Sequence, residues 1–365
     1  MKTCMAAALV LCCAWPVHAG QAADTWILSG QSNACGRGQG PGNDPNPLVQ
    51  MFNGKSWVEA KEPLANMGAQ DNSVGPWHTA ALDVAKANLP VHLAGWASGG
   101  QPISIWDEKG AGWLGLAAAI KGAGGGQVFL WYQGESDTVG GMKCEEYQKK
   151  LQDLIARVRG SAKNPQMLVV VIQIASWSNT AQDAMPIREA ERLVVAADSN
   201  ALLVPALGLP CDGVHLTRDG YFELGHQIAR ALLHTRYQKK DVDWPGPVLD
   251  QAVPGGDAKT VLIHFAEVKK LGGVEASDFG AIDAGGNVKC AKVLAENTRV
   301  ALTFERALKA PVKIVYGFGS NPKATLVDEA GNHAPAVQLE LSAGTSPADK
   351  ETSAPNGASG APTKK

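Results

Sequence analysis

Between residues 24 and 236, short apolar runs alternate with segments whose apolar residues recur at helical spacing. This alternation constrains the fold more than any other feature of the chain. The strand-length runs are 25–29, 91–96, 127–132, 168–174 and 201–205, each rich in Val, Ile, Leu or aromatic residues. Runs so evenly apolar suit strands covered on both faces of a parallel sheet. The clearest helix spans 145–159, where Tyr147, Leu151, Leu154, Ile155 and Val158 recur at helical spacing. Further helices are predicted over 78–88, 187–198 and 217–233. In the last, Tyr221, Leu224, Ile228 and Leu232 share one face, and Thr217 is placed to cap it. Together these elements predict an α/β fold, a three-layer open parallel sheet flanked by helices, with ligands at the carboxyl ends of the strands.

The pattern changes after residue 243. Asp243-Trp244-Pro245-Gly246-Pro247 reads as a linker, because proline and glycine interrupt both helix and strand ladders. Runs at 260–265, 280–282, 299–304 and 312–316 follow, with a glycine-rich turn over 283–287, and predict a smaller C-terminal all-β domain. Beyond residue 342 the chain is Ser, Thr, Pro, Gly, Lys and other small or polar residues, which cannot bury a core and are expected to be disordered. At the other end, Lys2, an apolar stretch over 5–14 and Val17-His18-Ala19 have the order of a secretory signal peptide cleaved after Ala19. That stretch is about half the ~20 residues that span a bilayer, and no second long run follows. The expected division is therefore a signal peptide (1–19), an α/β domain (20–243), a β-rich domain (244–342) and a tail (343–365), in a secreted or periplasmic protein.

Charge narrows the partners. With 33 basic and 35 acidic side chains, the formal charge is −2, and no basic run offers a surface for nucleic acid or anionic lipid. Export permits disulfides among Cys35, Cys144, Cys211 and Cys290, in any of three pairings. The absence of a Cys-x-x-Cys or Cys/His cluster argues against a structural zinc site.

Four segments following predicted strands carry chemistry. Gly30-Gln31-Ser32-Asn33 sets a serine at a strand-to-helix turn, although such a serine is often only a helix cap. Ser98-Gly99-Gly100-Gln101 offers backbone N–H groups that can approach an oxyanion, or simply a tight turn. Gln133-Gly134-Glu135-Ser136-Asp137 ends the most apolar run. Its amide can donate to the same oxyanion, while its paired carboxylates also suit glycosidase chemistry. Asp212-Gly213-Val214-His215 brings a carboxylate within reach of an imidazole Nδ1, leaving Nε2 to face a serine.

In combination and order these segments resemble the blocks of the SGNH-hydrolase superfamily, in particular its carbohydrate-esterase branch of sialate O-acetylesterases and acetylxylan esterases. The resemblance spans about residues 24–236, and residues 315–322 are similar to the β-rich tail of the sialate O-acetylesterases. It implies a flavodoxin-like sheet, Ser32 as nucleophile, His215 as general base and Asp212 as its orienting group. It also implies an oxyanion hole from the N–H groups of Ser32 and of Gly99 or Gly100 with the Gln133 amide, where the wider superfamily has Asn. Substrate contacts are expected at Gln31, Trp106 and Glu135. The implied reaction is hydrolysis of acetyl esters on carbohydrate through an acyl-serine, with no metal or other cofactor.

Trp96, Trp106, Trp113, Trp131 and Trp177 sit beside these blocks and are expected to divide between a sugar-binding cleft and the core. Cys35, Cys144 and Cys211 also fall near the blocks, which raises a disulfide bracing two loops as a further expectation. Acetylxylan rather than sialate esters remains an alternative substrate class. A non-catalytic carbohydrate-binding protein is the alternative of another kind.

Overall fold

The computed structural model describes residues 22–177, 182–266 and 268–342; the expected signal peptide and C-terminal tail lie outside the described residues. Its first sheet contains β1 (Asp24–Gly30), β2 (Val49–Phe52), β3 (Trp57–Glu59), β4 (Val91–Ala97), β5 (Val128–Tyr132), β6 (Leu168–Gln173) and β7 (Ala201–Pro205). They lie in the order β3-β2-β4-β1-β5-β6-β7. All neighbours pair in parallel except β2 and β3, which form an antiparallel hairpin at the edge. Apart from that edge hairpin the sheet is parallel, as expected. Trp57 packs on Phe52 and His92, so side-chain packing adds to that edge pairing. Without the hairpin the order reads 2-1-3-4-5, a doubly wound arrangement in which chain connections diverge beside the first strand.

Among the described residues, seven α-helices accompany these strands: α1 (Ser32–Cys35), α2 (Pro76–Ala85), α3 (Ala111–Ala123), α4 (Glu135–Val139), α5 (Cys144–Ser161), α6 (Met185–Ala196) and α7 (Arg218–Thr235). The periodic residues of α5 and α7 are all buried. Thr217 caps α7, its Oγ1 accepting from the Gly220 N–H at 3.1 Å. Helix α3 was not foreseen, because Gly112, Gly115 and Gly122 weaken a helical reading. Those glycines fit neighbours from elsewhere in the chain: a Cβ on Gly115 would stand 2.6 Å from the Trp96 ring, and one on Gly122 2.5 Å from Phe52.

The second sheet holds β10 (Val248–Pro254), β11 (Thr260–Ala266), β12 (Phe279–Asp283), β13 (Gly286–Glu296), β14 (Arg299–Phe304), β15 (Lys313–Tyr316) and β16 (Val337–Glu340). Every pairing is antiparallel, and the order is β10-β11-β14-β13-β12-β15-β16. A bridge between Ala252 and Leu341 brings its two edges together, so the sheet nearly closes into a barrel. Met185 and Leu207 from the first unit enter the barrel core. Arg188, fully buried on α6, donates to the carbonyls of Ile174, Ala175, Gly317, Gly319 and Ser320. It ties the segment after β6 to residues 317–320 of the β-rich part.

Candidate active site

The chain leaves β1 through Gly30, whose φ of +143° and missing Cβ allow the turn: a Cβ there would overlap the Tyr132 carbonyl at 2.0 Å. The Gln31 N–H donates to that same carbonyl at 3.1 Å. Ser32 thus opens α1 at the carboxyl edge of the sheet, a residue 8% exposed. Among the described residues, nothing accepts from the N–H groups of Ser32, Gly99 or Gly100. Gly99 lies against the serine: its Cβ, if present, would be 3.5 Å from Ser32 Cβ.

The imidazole arrives from a small hairpin of β8 (Cys211–Asp212) and β9 (His215–Leu216), closed by Gly213 at a φ of +64°. His215 Nε2 lies 2.9 Å from Ser32 Oγ, across 183 residues of chain. Asp212 pairs directly with His215 in this hairpin, so the two side chains share a face as a cross-strand pair. The Asp212 carboxylate is exposed, and among the described residues no hydrogen bond joins it to Nδ1. Burial lowers the His215 pKa, the Arg37 charge lowers it further, and the Asp212 charge opposes both.

Asn33, fully buried, holds this hairpin in place. Its Nδ2 donates to Glu135 Oε1 at 2.6 Å and to the Val214 carbonyl at 3.1 Å. Its Oδ1 accepts from Tyr221 Oη at 2.6 Å and from the Leu216 N–H at 3.4 Å. One side chain beside the serine therefore grips the backbone on both sides of the histidine. Only its place in the quoted block marked it in the sequence.

The third block corrects several expectations. Gln133 is fully buried, and its Nε2 faces Asp137 Oδ2 at 2.5 Å, Gln31 Oε1 at 3.0 Å and the Gln101 carbonyl at 3.0 Å. Two hydrogens meet three acceptors, so the amide has none left for an oxyanion. Instead it secures the loop that carries Gly99 and Gly100, helped by Asp137, whose carboxylate accepts from the Ile103 N–H at 2.9 Å. The expected substrate contacts are buried as well. Gln31 is 3% exposed and Glu135 3%, while Trp106 is wholly enclosed, donating to Ser29 Oγ and meeting Trp131 edge-on at 5.0 Å. Their polar atoms serve loops and the core, because the end of β5 is covered on all sides. Burial pushes the Glu135 carboxyl up to about 7, against the opposing Asn33 hydrogen bond.

Of the five tryptophans, Trp106, Trp131 and Trp177 are core, whereas Trp96 and Trp113 are partly exposed. Cys35, Cys144, Cys211 and Cys290 are all free thiols, so the expected brace between loops is not formed. A residue that sequence reasoning passed over is Arg37, whose charge acts on His215. The available signal was a lone cation between two glycines, five positions after the serine.

An open α/β sheet with a serine and an imidazole in contact at the carboxyl ends of its strands is suited to acyl-transfer enzymology. Residues 22–234 match the family described as carbohydrate esterase, sialic acid-specific acetylesterase, and the chain belongs to that family. It is 29% identical over 238 residues to a probable carbohydrate esterase of Arabidopsis thaliana, covering 57% of this chain and 89% of that protein. An X-ray structure of an Arabidopsis thaliana protein aligns with a TM-score of 0.50 at 26% identity, over 58% of this chain and 98% of that one. A carbohydrate acetylesterase from Xanthomonas citri aligns with a TM-score of 0.65 at 16% identity, over 87% of this chain and 80% of that one, a likeness of fold. Among the described residues, no helix is long and apolar enough to cross a membrane.

Proposed function

We propose that this protein is an exported carbohydrate O-acetylesterase of the SGNH type, acting through an acyl-serine. Residues 20–243 form its catalytic domain and 244–342 a β-rich companion. The observation that carries the reading is the 2.9 Å approach of His215 Nε2 to Ser32 Oγ. In the first step, Ser32 Oγ attacks the acetyl carbonyl carbon while its proton passes to Nε2. The N–H groups of Ser32, Gly99 and Gly100 are the donors available to the resulting oxyanion. Collapse of the tetrahedral intermediate breaks the bond to the sugar oxygen, which takes the proton from His215 and leaves as alcohol. Water then repeats the sequence on the acetyl-serine and releases acetate. Asp212 stabilises the transient imidazolium through its charge. The family's description favours acetylated sialic acids as substrates over acetylated xylan.

Acetate release from a panel of acetylated sugars, with wild type and Ser32→Ala, tests the assignment. Loss of a nucleophile in such a site costs at least ~10³-fold in turnover. A variant that keeps most of its activity refutes the role of Ser32. A wild type that binds sugars but releases no acetate points to the binding-protein alternative.

A further inference from the structure

Arg37 stands on the loop after α1 with its guanidinium turned toward the nucleophile. Nη1 donates to the Gly36 carbonyl at 2.8 Å, and the group also hydrogen-bonds the Cys35 thiol. Nη2 lies over Gly99, where a Cβ would stand 3.0 Å from Nη2 and 3.5 Å from Ser32 Cβ. The missing side chain of Gly99 thus leaves open the space between the guanidinium and the serine. Arg159, Arg192, Arg236 and Arg306 each pair with a carboxylate, but among the described residues Arg37 has none within ion-pair distance. Its protein partners are a neutral carbonyl and a thiol. A partly buried cation that lacks a counter-charge, beside the reacting atoms and against an unfilled space, is matched to an anion that comes with the ligand.

We propose that Arg37 is a specificity-determining residue that binds the carboxylate of an acidic O-acetylated sugar while the acetyl ester lies on Ser32. The proposal rests on the esterase reading and adds a charge requirement to it. Guanidinium and carboxylate match as a planar fork, whereas a neutral xylose unit brings no such group. A role in stabilising the oxyanion predicts something different, an equal loss on all substrates.

The test compares kcat/KM for an O-acetylated sialic acid and for its C1 carboxamide, which keeps the acetyl group and loses the charge. Wild type is expected to prefer the acid by ~10–100-fold, the worth of a charge-assisted hydrogen bond. In Arg37→Gln that ratio falls to within about threefold of one, and Arg37→Lys retains part of it. Equal rates on acid and amide in wild type overturn the proposal, as does an undiminished ratio in Arg37→Gln. Calorimetry of the deacetylated acid and amide with Ser32→Ala separates the two readings. An acid preference there that vanishes when Arg37→Gln is added supports the anion subsite even if acetate release proves independent of Ser32. Equal binding of acid and amide overturns the subsite and leaves the esterase reading standing.

Discussion

Replacing Asn33 by alanine removes the link between the nucleophile turn and the histidine hairpin. The Tyr221 hydroxyl and Glu135 Oε1 lose partners at 2.6 Å, and the Val214 carbonyl and Leu216 N–H lose weaker ones. Tyr221 and Glu135 are both buried, so neither regains water. At ~1–3 kcal/mol for each unsatisfied buried group, the two strong losses sum to about 2–6 kcal/mol. Among the described residues Glu135 Oε2 meets no side-chain donor, and a carboxyl poised near 7 escapes part of its penalty by staying protonated, which places the expected loss in the lower half of that range. Freed from its grip, the hairpin no longer holds His215 against Ser32, and a 1 Å displacement costs on the order of 10²-fold in turnover. Urea unfolding gives the stability change. Acetate release per site titrated with an active-site phosphonate gives turnover of the folded fraction, with KM measured alongside. The expected result is a fall in kcat with KM within about threefold, since the side chain is buried away from substrate. Asn33→Asp keeps the acceptor for Tyr221 and Leu216 and can receive a proton-donating Glu135, so it should recover part of kcat below pH 7. A stable Asn33→Ala protein, within ~0.5 kcal/mol of wild type and with unchanged kcat, would refute the positioning argument.

Three further outcomes are expected. Because a general base must be neutral and His215 sits below the ordinary 6.5, kcat/KM should rise with pH through a midpoint under 6.5; Arg37→Gln should raise that midpoint and Asp212→Asn lower it. A midpoint above 6.5 in wild type contradicts this electrostatic account. Glu135 is held at about 7 against an ordinary 4.5, so the folded state binds its proton more tightly; the stabilisation is full below about pH 4.5 and is lost as pH rises through 7, by up to ~3 kcal/mol. The gap between urea midpoints at pH 5 and 8 should therefore narrow in Glu135→Gln, while Glu62, pushed up to about 7 by burial, and Glu191, raised likewise, keep part of it; an unaltered difference would exclude Glu135 as a source. Arg188→Ala takes a donor from five carbonyls, of which that of Ser320 keeps the Trp177 N–H, and should lower stability by several kcal/mol at ~1–3 kcal/mol per group left unsatisfied; an unchanged melting temperature would show that water replaces the guanidinium.

Local pattern alone was sufficient for the alternating strands, the buried faces of α5 and α7, the Thr217 cap and the four blocks that lead to the family. Each is a matter of spacing along a few turns or one strand, which the chain displays before it folds. Helix α3 stayed hidden because its glycines make sense only once Trp96 and Phe52 come to lie on them. The same holds for the polar residues at the end of β5. Glutamine, glutamate and aspartate there read as solvent-facing chemistry, yet the closure of loops over β5 buries them and turns them into supports for the histidine hairpin and the Gly99 loop. Arg37 shows the same limit, since its place beside Ser32 and His215 depends on where the loop after α1 meets Gly99. Residue types and periodicity are local properties of the chain. Burial, and with it the task of each polar side chain, is decided by contacts between different elements, from Gln101 and Gln133 at 32 residues apart to Ser32 and His215 at 183, and only tertiary packing creates those.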